Sequence, residues 1–184
     1  MFSDEQLVEA SLSGTTAAFD ELVSRYQERL LRFLLTRSAS RADAEDAVQD
    51  TFINAYRYLA SFDPRWRFST WIYRIVIRNL ARQRRPEWQE TDDTLVSDDD
   101  PLRNCIEMSE RENIWLAARS LLSEEVYAAT WLRYVEDLSV KEISRALHKS
   151  QSWTKVNLLR ARRRLTAALN HVPPKKTAQR ESYG

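Results

Sequence analysis

Glycine is almost missing from this chain: two residues in 184, Gly14 and Gly184. Phosphate-cradling loops need several glycines at fixed spacing, because the backbone itself must approach the phosphate. A Walker loop and a dinucleotide fingerprint are thereby excluded. Histidine is as scarce, with only His148 and His171, which leaves little material for a His-rich metal site or a serine triad. The one cysteine, Cys105, has no partner for an internal disulfide and no second cysteine to share a metal. These absences point away from an enzyme, call for no cofactor, metal or catalytic residue, and favour a reducing, cytoplasmic location. Cys105 reads as a small buried helix residue. No apolar run approaches the roughly twenty residues needed to cross a bilayer. The acidic opening MFSDEQLVEASLSG has no apolar core, so no signal peptide is expected.

What is abundant is charge, and it is segregated. Residues 17–85 hold 13 basic and 8 acidic residues, a net +5; residues 86–112 hold 2 basic and 10 acidic, a net −8. Residues 113–184 hold 13 basic and 6 acidic, a net +7. Two basic blocks around an acidic connector suit two modules that share a polyanionic ligand. Solvated helix faces and an ordinary acidic loop would give the same totals.

The abundance of Ala, Leu, Arg and Glu favours an all-α chain. Phe19, Leu22, Val23, Tyr26, Leu30, Phe33 and Leu34 recur at three- and four-residue steps and predict one amphipathic helix; Val48, Phe52, Ala55, Tyr56 and Leu59 predict a second. Pro64 disfavours helix in the residue before it, so 61–68 is expected to be a loop. Helix resumes near Thr70 and stops at Pro86. Residues 86–104, acidic and flanked by prolines, read as a flexible linker. Helical periodicity returns from about Ile106 to Tyr134, a tight helix pair covers 139–169, and 171–184 reads as a disordered tail. Two small helical domains, 1–85 and 105–170, are expected.

Within the second domain, Ser139 and Glu142 form a capping box. Val140, Ile143, Ala146 and Leu147 line one face of the short helix that follows. His148-Lys149 makes the turn, with histidine where glycine is often found; histidine tolerates left-handed geometry better than most residues. Ser150 caps the next helix, whose inward stripe is Thr154, Leu158, Ala161, Leu165 and Ala168. Gln151, Ser152, Lys155, Asn157, Arg160 and Arg163 fall outside that stripe. A short helix, a tight turn and a basic second helix is the geometry that sets a recognition helix in the major groove. A plain helical hairpin with a charged surface fits the same residues.

The first domain holds SFDPRWRFSTWIYR (61–74), five aromatic rings and three arginines in fourteen residues. DAEDAVQDTF (43–52) together with Phe62–Arg74 resembles the second conserved region of extracytoplasmic-function (ECF) sigma factors of bacterial RNA polymerase. LRY (132–134), Ser139–Glu142, Ser150–Lys155 and the run Arg160–Leu165 resemble the fourth. The resemblance spans most of 17–169. It implies that Asp43, Asp46, Gln49, Asp50 and Asn54 dock on core RNA polymerase. It implies minus-ten promoter contacts by Phe62, Arg65, Trp66, Arg67, Phe68, Ser69, Trp71, Tyr73, Arg74, Arg78, Asn79 and Arg82. It implies minus-thirty-five contacts by Arg133, Ser150, Gln151, Ser152, Trp153, Lys155, Asn157, Arg160 and Arg163. An acidic linker running through the polymerase's template and RNA-exit path, and an anti-sigma partner, are implied too.

The chain departs from the family pattern at Arg78, where an Asn commonly stands, with Asn79 one position later, and at Trp153 and Asn157. Stacking one base on an aromatic ring is worth about 1–3 kcal/mol, roughly what extruding that base costs. The Phe62–Phe68 loop is therefore expected to capture an unpaired base, with Trp66 and Phe68 the rings that meet DNA and Phe62 turned inward. Two other readings fit parts of the chain: a stand-alone helix-turn-helix regulator, and a helical adaptor without nucleic-acid contact.

Overall fold

Local capping decides where three of the helices begin. Ser3, Ser40 and Ser139 each accept the backbone N–H three residues on, and the side chains of Gln6, Asp43 and Glu142 reach back to the capping N–H. Each cap is worth about 1 kcal/mol and, more to the point, fixes the residue at which helix starts. The computed structural model describes residues 2–83 and 110–170. Its order is α1 (Asp4–Leu12), α2 (Thr16–Leu35), α3 (Arg41–Arg57), a 3-10 turn (Leu59–Ser61), α4 (Phe68–Gln83), α5 (Glu110–Leu121), α6 (Glu124–Tyr134), α7 (Val140–Leu147) and α8 (Gln151–Asn170). There is no strand among the described residues. The linker, Cys105 and the tail lie outside them.

Burial of the expected stripes orients these helices. Phe19, Leu22, Tyr26, Leu30, Phe33 and Leu34 of α2 are buried. Each such burial contributes about 1.5–3 kcal/mol, against a few tenths for a surface pair such as Arg25–Glu21. Packing, not surface charge, sets the helix's face. α3 buries Ala44, Ala47, Thr51, Phe52 and Ala55 against it. Tyr56, expected in that stripe, instead lies 56% exposed with its ring edge-on to Phe19.

Two expectations are corrected. Residues 4–12 form a helix where none was anticipated. The helical run expected from about Ile106 to Tyr134 is, over its described residues from Glu110, two helices, α5 and α6, broken at Leu122–Ser123, with Ser123 in extended geometry ahead of α6.

The two helix sets meet along an aromatic seam. Phe33 of α2 contacts Tyr73 of α4 at 5.5 Å, and Tyr127 and Trp131 of α6 at 6.3 and 5.6 Å between ring centres. The hydroxyls of Thr36 and Tyr127 share a buried hydrogen bond of 2.8 Å, and burial pushes the Tyr127 phenol up to about 12. Arg37 lies over the Phe33 and Tyr127 rings and pairs with Glu124. Beside the seam, the Glu136 carboxylate accepts from the Tyr73 hydroxyl at 2.7 Å and pairs with Arg29. Burial is the main cause that raises the Tyr73 phenol, with Glu136 adding to it.

Candidate nucleic-acid and polymerase interfaces

The loop between the 3-10 turn and α4 sorts its aromatic rings into two groups. Phe68 is 1% exposed, with its ring against Tyr26, Phe62 and Trp71 at 5.1, 5.8 and 5.5 Å. Ser69 and Tyr73 are buried as well. A ring packed among three others has no face left for a base to stack on. Of the expected minus-ten contacts, Phe68, Ser69 and Tyr73 are thus buried: Phe68 braces the loop, and Tyr73 packs against Phe33 and donates to Glu136. Phe62 and Trp71 are half-buried and join the same cluster. Trp66 is the ring held near the surface, where α7 reaches it.

Around Trp66 the loop is ordered by charge. Arg65 forks onto Asp63, Nε to Oδ1 at 2.9 Å and Nη2 to Oδ2 at 2.8 Å, while its backbone N–H donates to Oδ1. Chiefly through the Arg65 side chain, the Asp63 carboxyl is held down to about 2. Arg74 and Arg78 are exposed on α4. The side chain of Arg82 lies outside the described residues.

A pocket of about 330 Å³ opens here, lined by Asn54, Tyr58, Trp66, Thr70, Trp71, Arg74, Arg78 and Asn79, with Arg145 of α7 at its edge. Asn54 Nδ2 donates to Asn79 Oδ1 at 3.5 Å. Thr70 Oγ1 and Asn79 Nδ2 are buried without a hydrogen-bond partner. A buried polar atom left unpaired costs about 1–3 kcal/mol, a cost that water or a polar ligand in this pocket would offset. Asn54, which the resemblance groups with the core-polymerase contacts, is half-buried and lines this pocket.

That outer face carries Asp46, Gln49 and Asp50, all exposed. Asp43 is engaged in capping, accepting the Ser40 N–H at 3.1 Å. Alongside runs a groove of about 840 Å³ between α2 and α3, floored by Phe19, Val23, Leu31, Val48, Phe52, Ile53 and Tyr56 and rimmed by Asp20, Glu28 and Glu45. Ile53 is 50% exposed. Sequence reasoning missed this groove, although an isoleucine off the buried stripe of α3 was its signal.

α7 and α8 form the expected helix-turn-helix. Ile143, Ala146 and Leu147 are buried, and Thr154, Leu158 and Ala161 face them, with Ser144 Oγ 3.1 Å from Thr154 Oγ1. Ser150 accepts the Trp153 N–H at 3.1 Å and so begins α8. Gln151, Ser152, Lys155, Arg160 and Arg163 are exposed along one side. Arg162 and Arg164, not anticipated, are exposed too. Asn157 is half-buried and donates to the Trp153 carbonyl at 2.9 Å; Trp153 packs against the core beneath the Lys149 ammonium. Arg133 is exposed and donates to the Leu138 carbonyl at 3.0 Å. Among the described residues no cluster of His, Cys, Asp and Glu is arranged to hold a metal.

Comparison with known proteins agrees with this arrangement. The family models "Sigma-70 region 2" and "Sigma-70, region 4" match residues 22–90 and 117–165. The ECF RNA polymerase sigma-E factor of Haemophilus influenzae is 36% identical over 174 residues, 87% of this chain and 92% of that protein. The RNA polymerase sigma-H factor of Pseudomonas aeruginosa is 32% identical over 185 residues, 90% of this chain and 93% of that one. Among solved structures, CnrH in complex with the cytosolic domain of CnrY aligns with a TM-score of 0.70 at 24% identity, covering 92% of this chain and 99% of that one. The sigma factor RpoE of Bartonella quintana, in complex with the anti-sigma factor NepR, aligns with a TM-score of 0.62 at 18% identity, covering 84% and 98%. With both regions in order and relatives matched along nearly their whole length, the chain belongs to the ECF family of RNA polymerase sigma factors.

Proposed function

We propose that α1–α4 dock this sigma factor on core RNA polymerase and open the minus-ten element, while α7 and α8 hold the minus-thirty-five element as duplex. The observation that carries this reading is the pocket beside Trp66. Two unpaired polar atoms, Thr70 Oγ1 and Asn79 Nδ2, line it between indole rings, with Arg74 and Arg78 exposed at its margin. An extruded base would stack on Trp66, satisfy the buried polar atoms with its edge, and leave its phosphates to the arginines. Stacking of about 1–3 kcal/mol offsets the few kcal/mol that extrusion costs. Arginines beside the displaced strand release counterions and add salt-dependent affinity.

The acidic face of α3 and the apolar groove next to it form the surface that meets core polymerase. Gln151, Ser152 and Lys155 at the start of α8 face base edges, and Arg160 and Arg163 face phosphates. An anti-sigma partner is part of the reading, as the Bartonella quintana factor has one. No helix among the described residues is long and apolar enough to cross a membrane, and the site of action is the cytoplasm, where polymerase and promoter are.

In vitro transcription with purified core polymerase, with and without this protein, tests the proposal; loss of co-purification with core enzyme would sink it. Permanganate footprinting of a W66A/R67A variant tests the pocket. Open complexes formed as in the parent would remove Trp66 and Arg67 from the mechanism.

A further inference from the structure

One stripe of α8 faces the core with Thr154, Leu158, Ala161 and Leu165. At 3.6 residues per turn, the stripe directly opposite is Ser152, Val156, Leu159 and Arg163. Its middle is apolar. Val156 is 45% and Leu159 51% exposed, and neither was among the residues expected to meet DNA. Single exposed aliphatic side chains are ordinary on a protein surface. Two of them a turn apart, at the centre of the face that would enter the groove, are not scattered. Around them the charge has one sign. Lys155 and Arg160 stand to either side, Arg163 follows one turn on, and α8 contains no Asp or Glu.

A side chain of carbon alone can neither donate to N7 and O6 of guanine nor accept from the amino groups of adenine and cytosine. Pressed against those atoms, it would strip their water and return nothing. The one apolar group that a base pair shows in the major groove is the C5-methyl of thymine. We infer that Val156 and Leu159 make this sigma factor select thymine: each covers a methyl group of the minus-thirty-five element, while the flanking cations hold the phosphates. The inference rests on the helix-turn-helix reading given above and adds the chemical group that α8 reads. The two residues lie about 4.5 Å apart along the helix axis, and base pairs about 3.4 Å apart along the duplex. The pair therefore addresses neighbouring base pairs, with the methyl on either strand.

The test uses holoenzyme reconstituted from the full chain and core polymerase, and duplex DNA randomised over the upstream element. Selection should enrich thymine at two neighbouring positions. A selected duplex is then resynthesised with deoxyuridine at those two positions only. That change removes the methyl groups and leaves every hydrogen-bonding group in place. Affinity for holoenzyme should fall about fourfold for each methyl, the worth of one such group buried from water. In V156S/L159N the thymine preference should vanish, and the thymine and deoxyuridine duplexes should bind alike. R160E, by contrast, should weaken both duplexes by the same factor, because a phosphate contact carries no sequence information.

Equal binding of the two duplexes by the parent overturns the inference and leaves the apolar pair to a protein partner. A selected element without thymine at neighbouring positions overturns it as well. The deoxyuridine comparison uses the parent chain, so it decides even if V156S/L159N fails to fold. Failure of the helix-turn-helix reading looks different: no upstream sequence would be enriched, R160E would bind as the parent does, and both readings would fall together.

Discussion

At the turn between α7 and α8, His148 sits in left-handed geometry, φ 54 and ψ 41. Sequence order alone put a histidine where many helix-turn-helix motifs use glycine, and the backbone confirms that the site demands it. His148→Val should cost about 1–2 kcal/mol in thermal denaturation, because a β-branched side chain resists this conformation. The imidazole also titrates usefully. Burial lowers its pKa first, then Arg74, Arg145 and Arg78 nearby. The folded state therefore binds a proton less readily than the unfolded one. The stability it contributes is complete above the ordinary value of about 6.5 and is lost as pH falls through the lowered folded value. His148→Gln should flatten the decline in melting temperature between about pH 8 and 5. Legibility varied sharply from residue to residue: Phe62 was placed inward correctly, but Phe68 was assigned to DNA and lies in the core. The helix was expected to resume only near Thr70, and α4 in fact begins at Phe68, so the buried stripe was not extended back to that ring.

At the scale of elements, the proposed function gives α8 and α3 separable roles. Lys155→Glu or Arg160→Glu should weaken duplex binding and flatten its salt dependence, since each phosphate contact contributes a slope of about 0.9. Gel filtration with core polymerase should show that association unchanged. Conversely, Ile53→Glu, placed in the apolar groove on α3, should reduce co-elution with core enzyme. Its effect on thermal stability should stay within about 0.5 kcal/mol, since half of that side chain is already in water. The amphipathic helices α2, α3, α7 and α8 were legible because their buried stripes are long and regular. α1 was missed although Ser3 and Gln6 spell a capping box ahead of Leu7 and Val8. Nine residues give too few turns for periodicity to stand out. The break between α5 and α6 was hidden for the opposite reason: apolar residues run on through Leu121 and Leu122, and no glycine or proline marks the bend.

For the whole molecule, the unanticipated fact is the meeting of the two helix sets. Sequence patterns report which face of a helix is buried, not which partner covers it. Tyr73 was assigned to DNA and Glu136 went unremarked, yet each is the other's buried partner. Glu136→Ala should lower stability by about 1–3 kcal/mol, read from urea midpoints, because the Tyr73 hydroxyl loses its acceptor while Arg29, a third exposed, can turn to water. The seam through Phe33, Tyr73, Tyr127 and Trp131 has a calorimetric consequence. Rings from both helix sets share one interior, so neither set can melt without exposing apolar surface on the other. The parent should give a single endotherm whose van't Hoff and calorimetric enthalpies agree. With the seam loosened by R29E, that endotherm should broaden or split into two, as each set begins to unfold on its own account.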